Sequence, residues 1–265
     1  MLNPSPIAHH DARIARYNPV AKVTALLIWG LTAMAATDWL TPALLLTALA
    51  VIVPLSGVDA RALLSRSRFL WLAAAMVSFV NTVFAAERTG AVILDVGPIL
   101  IAEDNLTAGL SLGIRLLAIA IPSILVFGTT DPTDLADSLI QQWRVSPRFA
   151  IGALAALRML PLLADEWRMI TAARRARGVD AGRNPIRRAR LFASTMFALL
   201  VGAIRRGTRL AVAMDARGFD SDLPRSVARP QRWRGRDWVL VCAITALAVA
   251  ITVGGIALGT YRFLF

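Results

Sequence analysis

Two arginines, Arg177 and Arg217, occupy the same position in a short sequence motif that occurs twice in the chain. Residues 173–180 and 213–220 both fit the pattern A-x-x-A-R-G-x-D, and the two arginines are 40 residues apart. A guanidinium group offers a rigid fork of donors that fits a carboxylate. The alanines before each arginine keep a helix end slim enough to enter a groove. The repeat therefore predicts two arginines that dock on an acidic-lined partner.

The elements that position these arginines are predicted to be long amphipathic helices. One helix runs from about residue 162 to Arg177, and Gly178 is its expected left-handed stop. The second long helix, or helix pair, starts after Asn184 and Pro185 and ends at Gly218. Its apolar positions follow helical spacing as one stripe: Phe192, Met196, Leu199, Ala203, Gly207, Leu210 and Met214. A single arginine before a capping glycine is common at helix C-termini and needs no function, but two matched copies favour one.

The composition indicates a membrane protein. Of 265 residues, 57% are hydrophobic, and the mean hydropathy is +0.60. The net charge of +12 is unevenly placed, because 20 of the 29 basic residues fall in 129–236. A nucleic-acid-binding protein would not need the long uncharged runs elsewhere, whereas basic loops beside membrane spans account for both features.

Several kinds of catalytic and metal site are excluded or disfavoured. A Walker A loop needs glycine before its lysine, and the single lysine, Lys22, follows Ala21. The one cysteine, Cys242, cannot form a disulfide framework or a cysteine-based metal site alone. His9 and His10 are adjacent in a polar tail and make a poor metal cage. The basic region holds no carboxylate pair and no nucleophile–base set, so we predict no catalytic, cofactor-binding or metal-binding residues.

About five membrane spans are predicted from apolar runs, since roughly 20 helical residues cross the hydrocarbon core. They are residues 20–37, 40–55, 69–86, 106–127 and 238–258. The sequence Ala33-Met34-Ala35 resembles a signal-peptidase site. The first run is long for a signal core, however, so a retained span is favoured. Residues 57–68 and 87–105 are predicted loops.

Two shorter apolar segments, 149–163 and 191–204, are predicted to be membrane-surface or core helices. A stretch of 14 residues covers about 21 Å, which is too short to cross. Crossing by 191–204 would also place Arg177 and Arg217 on opposite sides of the bilayer. Within the fourth span, Arg115 is expected to face the bundle or a partner, or to satisfy a carbonyl group of the bundle.

The arginine distribution predicts an orientation and a division of the chain. The N-terminus is expected in the cytoplasm and the C-terminus outside. We predict a cytoplasmic tail (1–19), four transmembrane helices (20–128), a cytoplasmic coupling region (129–236), and a last transmembrane helix with a short tail (237–265).

The two copies of the motif resemble signatures of a known family, the transmembrane T component of energy-coupling factor (ECF) transporters. The resemblance rests on two signatures, Ala176-Arg177-Gly178 and Ala216-Arg217-Gly218. Weaker fragments extend it: Asn18-Pro19-Val20-Ala21-Lys22 before the first span and Arg158-Met159-Leu160-Pro161 before the first signature.

The resemblance implies an all-α membrane protein that couples ATP-driven movement to uptake of a vitamin or metal ion, such as biotin or cobalt. The implied partners are two ABC ATPase subunits, a small substrate-binding membrane component (S component) and the lipid bilayer of a prokaryotic cell membrane. No nucleic acid is implied. The implied docking residues are Ala176, Arg177, Gly178, Ala216, Arg217 and Gly218. Asp215 stands where the first copy has Arg175, so the two ends are expected to prefer different ATPase subunits.

Two alternatives remain open at this point. A membrane-embedded transferase would need an acidic cluster on its membrane helices, and no Asp-Gly dipeptide occurs in the chain. A transporter that binds its substrate itself would need polar groups in its spans, which offer Arg115, Asn81 and a few hydroxyl groups.

Overall fold

The computed structural model describes residues 13–84, 92–96, 99–179, 182, 184–219, 227 and 229–259. His9, His10, Asp180 and Asp220 lie outside the described residues, as do the ends of the chain and part of the loop predicted at 87–105. The chain divides into two compact units. Unit 1 comprises Met1–Leu135 with Gln231–Phe265, and unit 2 comprises Ala136–Pro230.

Over the residues that the structure describes, the fold is all-α apart from one short hairpin, in agreement with the expected all-α membrane class. The helices are α1 (Pro19–Ala35), α2 (Leu40–Ser56), α3 (Ala60–Val83), α4 (Glu103–Gly128), α5 (Pro132–Gln142), α6 (Pro147–Ala176), α7 (Pro185–Ala216) and α8 (Gly235–Ala257). A 3-10 turn, Arg13–Arg16, precedes α1. The strands β1 (Val92–Val96) and β2 (Ile99–Ala102) pair antiparallel, with Val96 opposite Ile99.

Three helices begin where an Asn-Pro or Asp-Pro pair predicts a start. The Asn18 side chain accepts a hydrogen bond from the Val20 N–H at 2.9 Å. Asp131 accepts from the Thr133 N–H at 2.7 Å, and Asn184 accepts from the Ile186 N–H at 3.0 Å. Each side chain satisfies a backbone donor that the helix itself cannot use, so these starts are encoded locally.

The predicted loop at 57–68 is wrong over most of its length, because α3 already begins at Ala60. The Asp59 side chain caps this helix by accepting from the Arg61 N–H at 2.9 Å. Arg61, Arg66 and Arg68 therefore lie on the first three turns of a helix. The hairpin of β1 and β2 was also not predicted, and it occupies part of the predicted loop at 87–105.

Unit 1 has a contiguous apolar core. The buried side chains come mainly from α1, α2 and α4 and include Trp29, Leu45, Leu49, Leu117 and Leu125. The indole Nε1 of Trp29 donates to the Ala118 carbonyl at 2.8 Å. This bond satisfies the one polar atom of a buried tryptophan and fixes α1 against α4.

Helices α3 and α4 approach closely where α4 carries two glycines one turn apart. A Cβ atom at Gly113 would lie 2.0 Å from the Ser78 hydroxyl and 2.9 Å from the Ala74 carbonyl oxygen. At Gly109 it would lie 2.2 Å from the Thr82 hydroxyl. Small residues at this spacing let helix backbones pack closely in membranes.

Arg115 donates to the Ala36 carbonyl within unit 1. This contact is the second of the two expectations for Arg115, the satisfaction of a carbonyl group of the bundle. Ser111, one turn earlier on α4, donates to the Asp38 carbonyl at 2.9 Å. Together the two bonds tie α4 to the turn between α1 and α2.

Among the described residues, four helices are long and apolar enough to cross a membrane: α3, α4, α6 and α8. Two further apolar helices, α1 and α2, have 17 residues each. The expectation of about five spans included α1 and α2 and placed 149–163 on the surface or in a core. Contrary to that expectation, α6 is long and apolar enough to be a candidate span, because the helix continues through Pro161 to Ala176. One lost backbone bond does not end a helix whose flanking residues are mostly alanine, leucine and methionine.

Candidate functional site

The two copies of the repeated motif form two helix ends of the same conformation. We call residues 173–179 the first tip and residues 213–219 the second tip. Arg177 follows α6 with φ −89° and ψ 10°, and Arg217 follows α7 with φ −92° and ψ 12°. The sequence repeat is therefore also a structural repeat.

Each tip is closed by the same pair of backbone hydrogen bonds. In the first tip, the Gly178 and Val179 N–H groups donate to the carbonyls of Arg175 and Arg174, both at 2.9 Å. In the second tip, Gly218 donates to Asp215 at 3.0 Å and Phe219 to Met214 at 3.2 Å. This is the Schellman motif, which satisfies carbonyls that the helix leaves unpaired.

The glycines are required by the backbone conformation. Gly178 has φ +73° and Gly218 has φ +71°, in the left-handed region that L-residues with a Cβ adopt at a cost. A Cβ at Gly178 would meet no heavy atom within 4 Å, so the constraint there is conformational and not steric. The predicted left-handed stop at Gly178 is confirmed, and the same stop ends α7.

All six predicted docking residues are exposed, and the structure groups them three to a tip: Ala176, Arg177 and Gly178, then Ala216, Arg217 and Gly218. Within the described part of the chain, neither Arg177 nor Arg217 forms a salt bridge. Each guanidinium is therefore presented at a rigid helix end instead of being held against a carboxylate of the described residues.

Helices α6 and α7 lie antiparallel, so the two tips are at opposite ends of the pair. Arg174, near the end of α6, donates to the hydroxyl of Thr195 at 2.7 Å in the first half of α7. Arg148, at the start of α6, forms a 2.7 Å salt bridge with Asp215 at the end of α7. Helices of 30 and 32 residues are each about 45 Å long.

The pair has an approximate twofold relation in which adding 40 to a residue number of α6 gives its counterpart on α7. Glu166 and Arg206, which are counterparts, meet in a 2.6 Å salt bridge with both side chains about one-third exposed. Each is 11 residues before its tip arginine, which is about 16 Å along the helix. The two tips thus extend equally far from a central ion pair.

Two clefts follow the same relation. The first cleft, of about 220 Å³, is lined by residues that include Trp167, Thr171, Arg174, Arg175, Arg188 and Phe192. The second cleft, of about 470 Å³, is lined by Arg148, Gly152, Gly207, Leu210, Ala211, Met214 and Asp215. Six of the second cleft's seven residues are counterparts of residues in the first. The first is smaller because Trp167 and Phe192 pack at 5.2 Å where the second has two glycines.

The apolar stripe predicted on α7 is correct only in part. Leu199 is buried and Leu210 and Met214 are half-buried, whereas Phe192 and Met196 are 56% and 46% exposed. Two residues of α7 outside the predicted stripe also face α6: Thr195 is buried, and Arg206 is half-buried. The pattern missed these residues because their polar groups are paired with Arg174 and Glu166. The 40-residue spacing of Glu166 and Arg206 was the available signal.

The comparisons with known proteins agree with this architecture. Residues 11–227 match the family described as cobalt transport protein (CbiQ). Three similar proteins are each named energy-coupling factor transporter transmembrane protein EcfT. The one from Exiguobacterium sibiricum is 32% identical over 172 residues, covering 62% of this chain and 65% of that protein.

The other two relatives match over most of their length. The protein from Limosilactobacillus fermentum is 28% identical over 257 residues, covering 94% of this chain and 95% of its own. The protein from Streptococcus thermophilus is 30% identical over 250 residues, covering 91% and 94%. These similarities do not favour a membrane-embedded transferase or a transporter that binds its substrate itself. The chain is a multi-pass membrane protein, and it belongs to the family of CbiQ- and EcfT-like transmembrane T components of energy-coupling factor transporters.

Proposed function

We propose that the two tips dock on two ABC ATPase subunits and that α6 and α7 carry their movement to a substrate-binding S component. The observation that carries the proposal is the repeated tip. Two exposed arginines, Arg177 and Arg217, stand on identically capped helix ends at opposite ends of one helix pair. A pair of ATPases related by a twofold axis would meet such a pair of tips.

The chemistry of docking is charge recognition at a rigid end. Each tip presents its guanidinium where the Schellman cap fixes the backbone, so the backbone loses little conformational freedom on binding. Partner carboxylates are the expected acceptors. ATP binding and hydrolysis belong, in this proposal, to the partner subunits.

The proposal extends to the cellular setting. The arginine-rich segments favour a cytoplasmic N-terminus and a cytoplasmic region of residues 129–236, where ATPases are available. In this proposal α6 is a coupling helix, although its length and hydropathy would allow it to cross a membrane. The membrane is that of a prokaryotic cell. The transported compound is a metal ion such as cobalt, or a vitamin such as biotin, bound by the S component.

The test is retention of the ATPases by charge-reversed variants. The full chain is co-expressed with the ATPase subunits of its own organism and purified by a tag on the chain. Arg177→Glu and Arg217→Glu should each cost about 2 kcal/mol or more, which is about thirtyfold in affinity at the altered tip. The double variant should retain neither ATPase.

Arg209→Glu is the matched control, because Arg209 is also exposed on α7 and makes the same change of charge away from the tips. It should retain both ATPases. If the doubly reversed chain, still monodisperse in detergent, keeps both subunits at the wild-type ratio, the docking role of the tips is wrong.

A further inference from the structure

The two clefts beside the tips carry different charges at equivalent positions. Arg148 and Asp215 form a salt bridge in the second cleft. Their counterparts in the first cleft are Arg188 and Arg175, two like charges lining one cavity. An ion pair in one cleft thus corresponds to two cations in the other.

The sequence around the tips extends this difference. Residues 173–190, which contain the first tip and the start of α7, hold seven arginines and one aspartate. The equal window 213–230 holds three arginines and three aspartates. The helix pairing adds Arg148 to the second tip, where it neutralises Asp215. The first tip is therefore strongly cationic and the second nearly neutral.

The clefts differ in shape as well as charge. In the first, the rings of Trp167 and Phe192 pack against each other in the lining, and Arg174 is bonded to α7. Among the described arginines of this cleft, Arg175 and Arg188 are therefore the ones left to meet a ligand. In the second, Gly152 and Gly207 leave roughly twice the volume between apolar side chains. One cleft is thus smaller and has two like-charged arginines in its lining, and the other is larger and sets the Arg148–Asp215 pair beside Leu210, Ala211 and Met214.

We propose that the two tips bind their ATPases by different chemistry. Beyond the carboxylate that meets each tip arginine, the first cleft receives a further carboxylate side chain from one ATPase, and the second receives an apolar side chain from the other. This inference rests on the proposed docking function and names the partner surface for each tip. Like charges at Arg175 and Arg188 are relieved by an incoming carboxylate, whereas the Arg148–Asp215 pair needs none.

The experiment isolates one tip at a time in the full-length chain in nanodiscs, with its own ATPases as the probe. The Arg217→Glu chain binds through the first tip, and the Arg177→Glu chain binds through the second. Affinity is measured at about 0.1 M and at about 1 M salt, where the screening length falls from about 10 Å to about 3 Å. Binding through the first tip should weaken about tenfold or more, and binding through the second less than about threefold.

Variants of the clefts test the cause. In the Arg217→Glu background, Arg175→Asp recreates the ion pair of the second cleft, and the salt dependence should fall toward that of the second tip. In the Arg177→Glu background, Gly207→Leu fills the second cleft and should weaken binding about tenfold. Thr208→Leu, on the adjacent exposed residue, is its control and should leave binding unchanged.

The outcomes separate this inference from the docking proposal. Equal salt dependence at both tips, or no response to Arg175→Asp and Gly207→Leu, overturns the difference in chemistry while docking stands. If neither Arg177→Glu nor Arg217→Glu lowers affinity at low salt, docking itself fails.

Discussion

Each of the two units is held together internally by a different kind of contact. In unit 1, helices meet through buried apolar side chains such as Leu45 and Leu117, and through the close approach at Gly109 and Gly113. In unit 2, α6 and α7 meet through polar contacts such as the Glu166–Arg206 pair and through the Trp167–Phe192 ring contact. Ala150 and Leu199 are the buried apolar residues of these two helices. Many large apolar side chains of α6 and α7 remain exposed.

This difference has a mechanical consequence. Close-packed apolar interiors are bistable or fixed, and they deform only at a cost in lost contacts. Partly exposed ion pairs contribute little and can be exchanged for water or for a partner's groups. Unit 1 is therefore suited to be a scaffold, whereas the contacts within unit 2 would allow its helices to shift.

The largest effect is expected from enlarging a glycine at the α3–α4 contact. Gly113→Leu would drive a side chain into the Ala74 carbonyl and the Ser78 hydroxyl, which should cost at least about 3 kcal/mol. We expect loss of monodisperse protein or a sharply lowered melting temperature in detergent. Gly30→Leu is the control, because a Cβ there meets no heavy atom within 4 Å. Equal stability of the two variants would contradict close packing as the basis of unit 1.

A smaller loss of stability is expected when a buried polar side chain of unit 1 is changed. The size of this loss shows whether burial makes such a polar contact important. Asp237 is 1% exposed and accepts from the backbone N–H groups of Asn18 and Arg234, both at 2.8 Å. Asp237→Asn leaves one of these donors unpaired, which should cost about 1–3 kcal/mol in thermal or denaturant unfolding.

Asp59→Asn is the matched control for this change. Asp59 is exposed and caps α3, and asparagine caps a helix about as well as aspartate. It should alter stability by only a few tenths of a kcal/mol. If both aspartate variants behave alike, burial is not what makes the Asp237 contacts important.

The parts of the fold that could be predicted depend on neighbours in sequence. The helix starts at Asn18, Asp131 and Asn184 follow from a side chain that caps its own helix. The left-handed glycines of both tips follow from a helical pattern that ends in A-R-G. These signals are local, so they can be recognised in the sequence without knowledge of the fold.

The parts that could not be predicted depend on distant partners. The burial of Thr195 and the half-burial of Arg206 are set by contacts with residues 21 and 40 positions away. The hairpin of β1 and β2 needed a pairing register that the short apolar runs do not specify. The equal distance of both tips from the Glu166–Arg206 pair became visible only when the two helices were placed side by side.

The smallest effect is expected at that central pair. Glu166→Gln removes the charge that meets Arg206 across the helices, and the pair is about one-third exposed, so the cost should be about 1 kcal/mol. Hydrogen exchange of the α6 and α7 amides near residues 166 and 206 should quicken by less than about tenfold. Asp165→Asn is the adjacent control, since the Asp165 bridge to Arg168 lies within one exposed helix face at 3.4 Å. A cost at Glu166 as large as that of Asp237→Asn would mean that unit 2 is as firmly fixed as unit 1, and a double-mutant cycle with Arg206→Gln measures the pair itself.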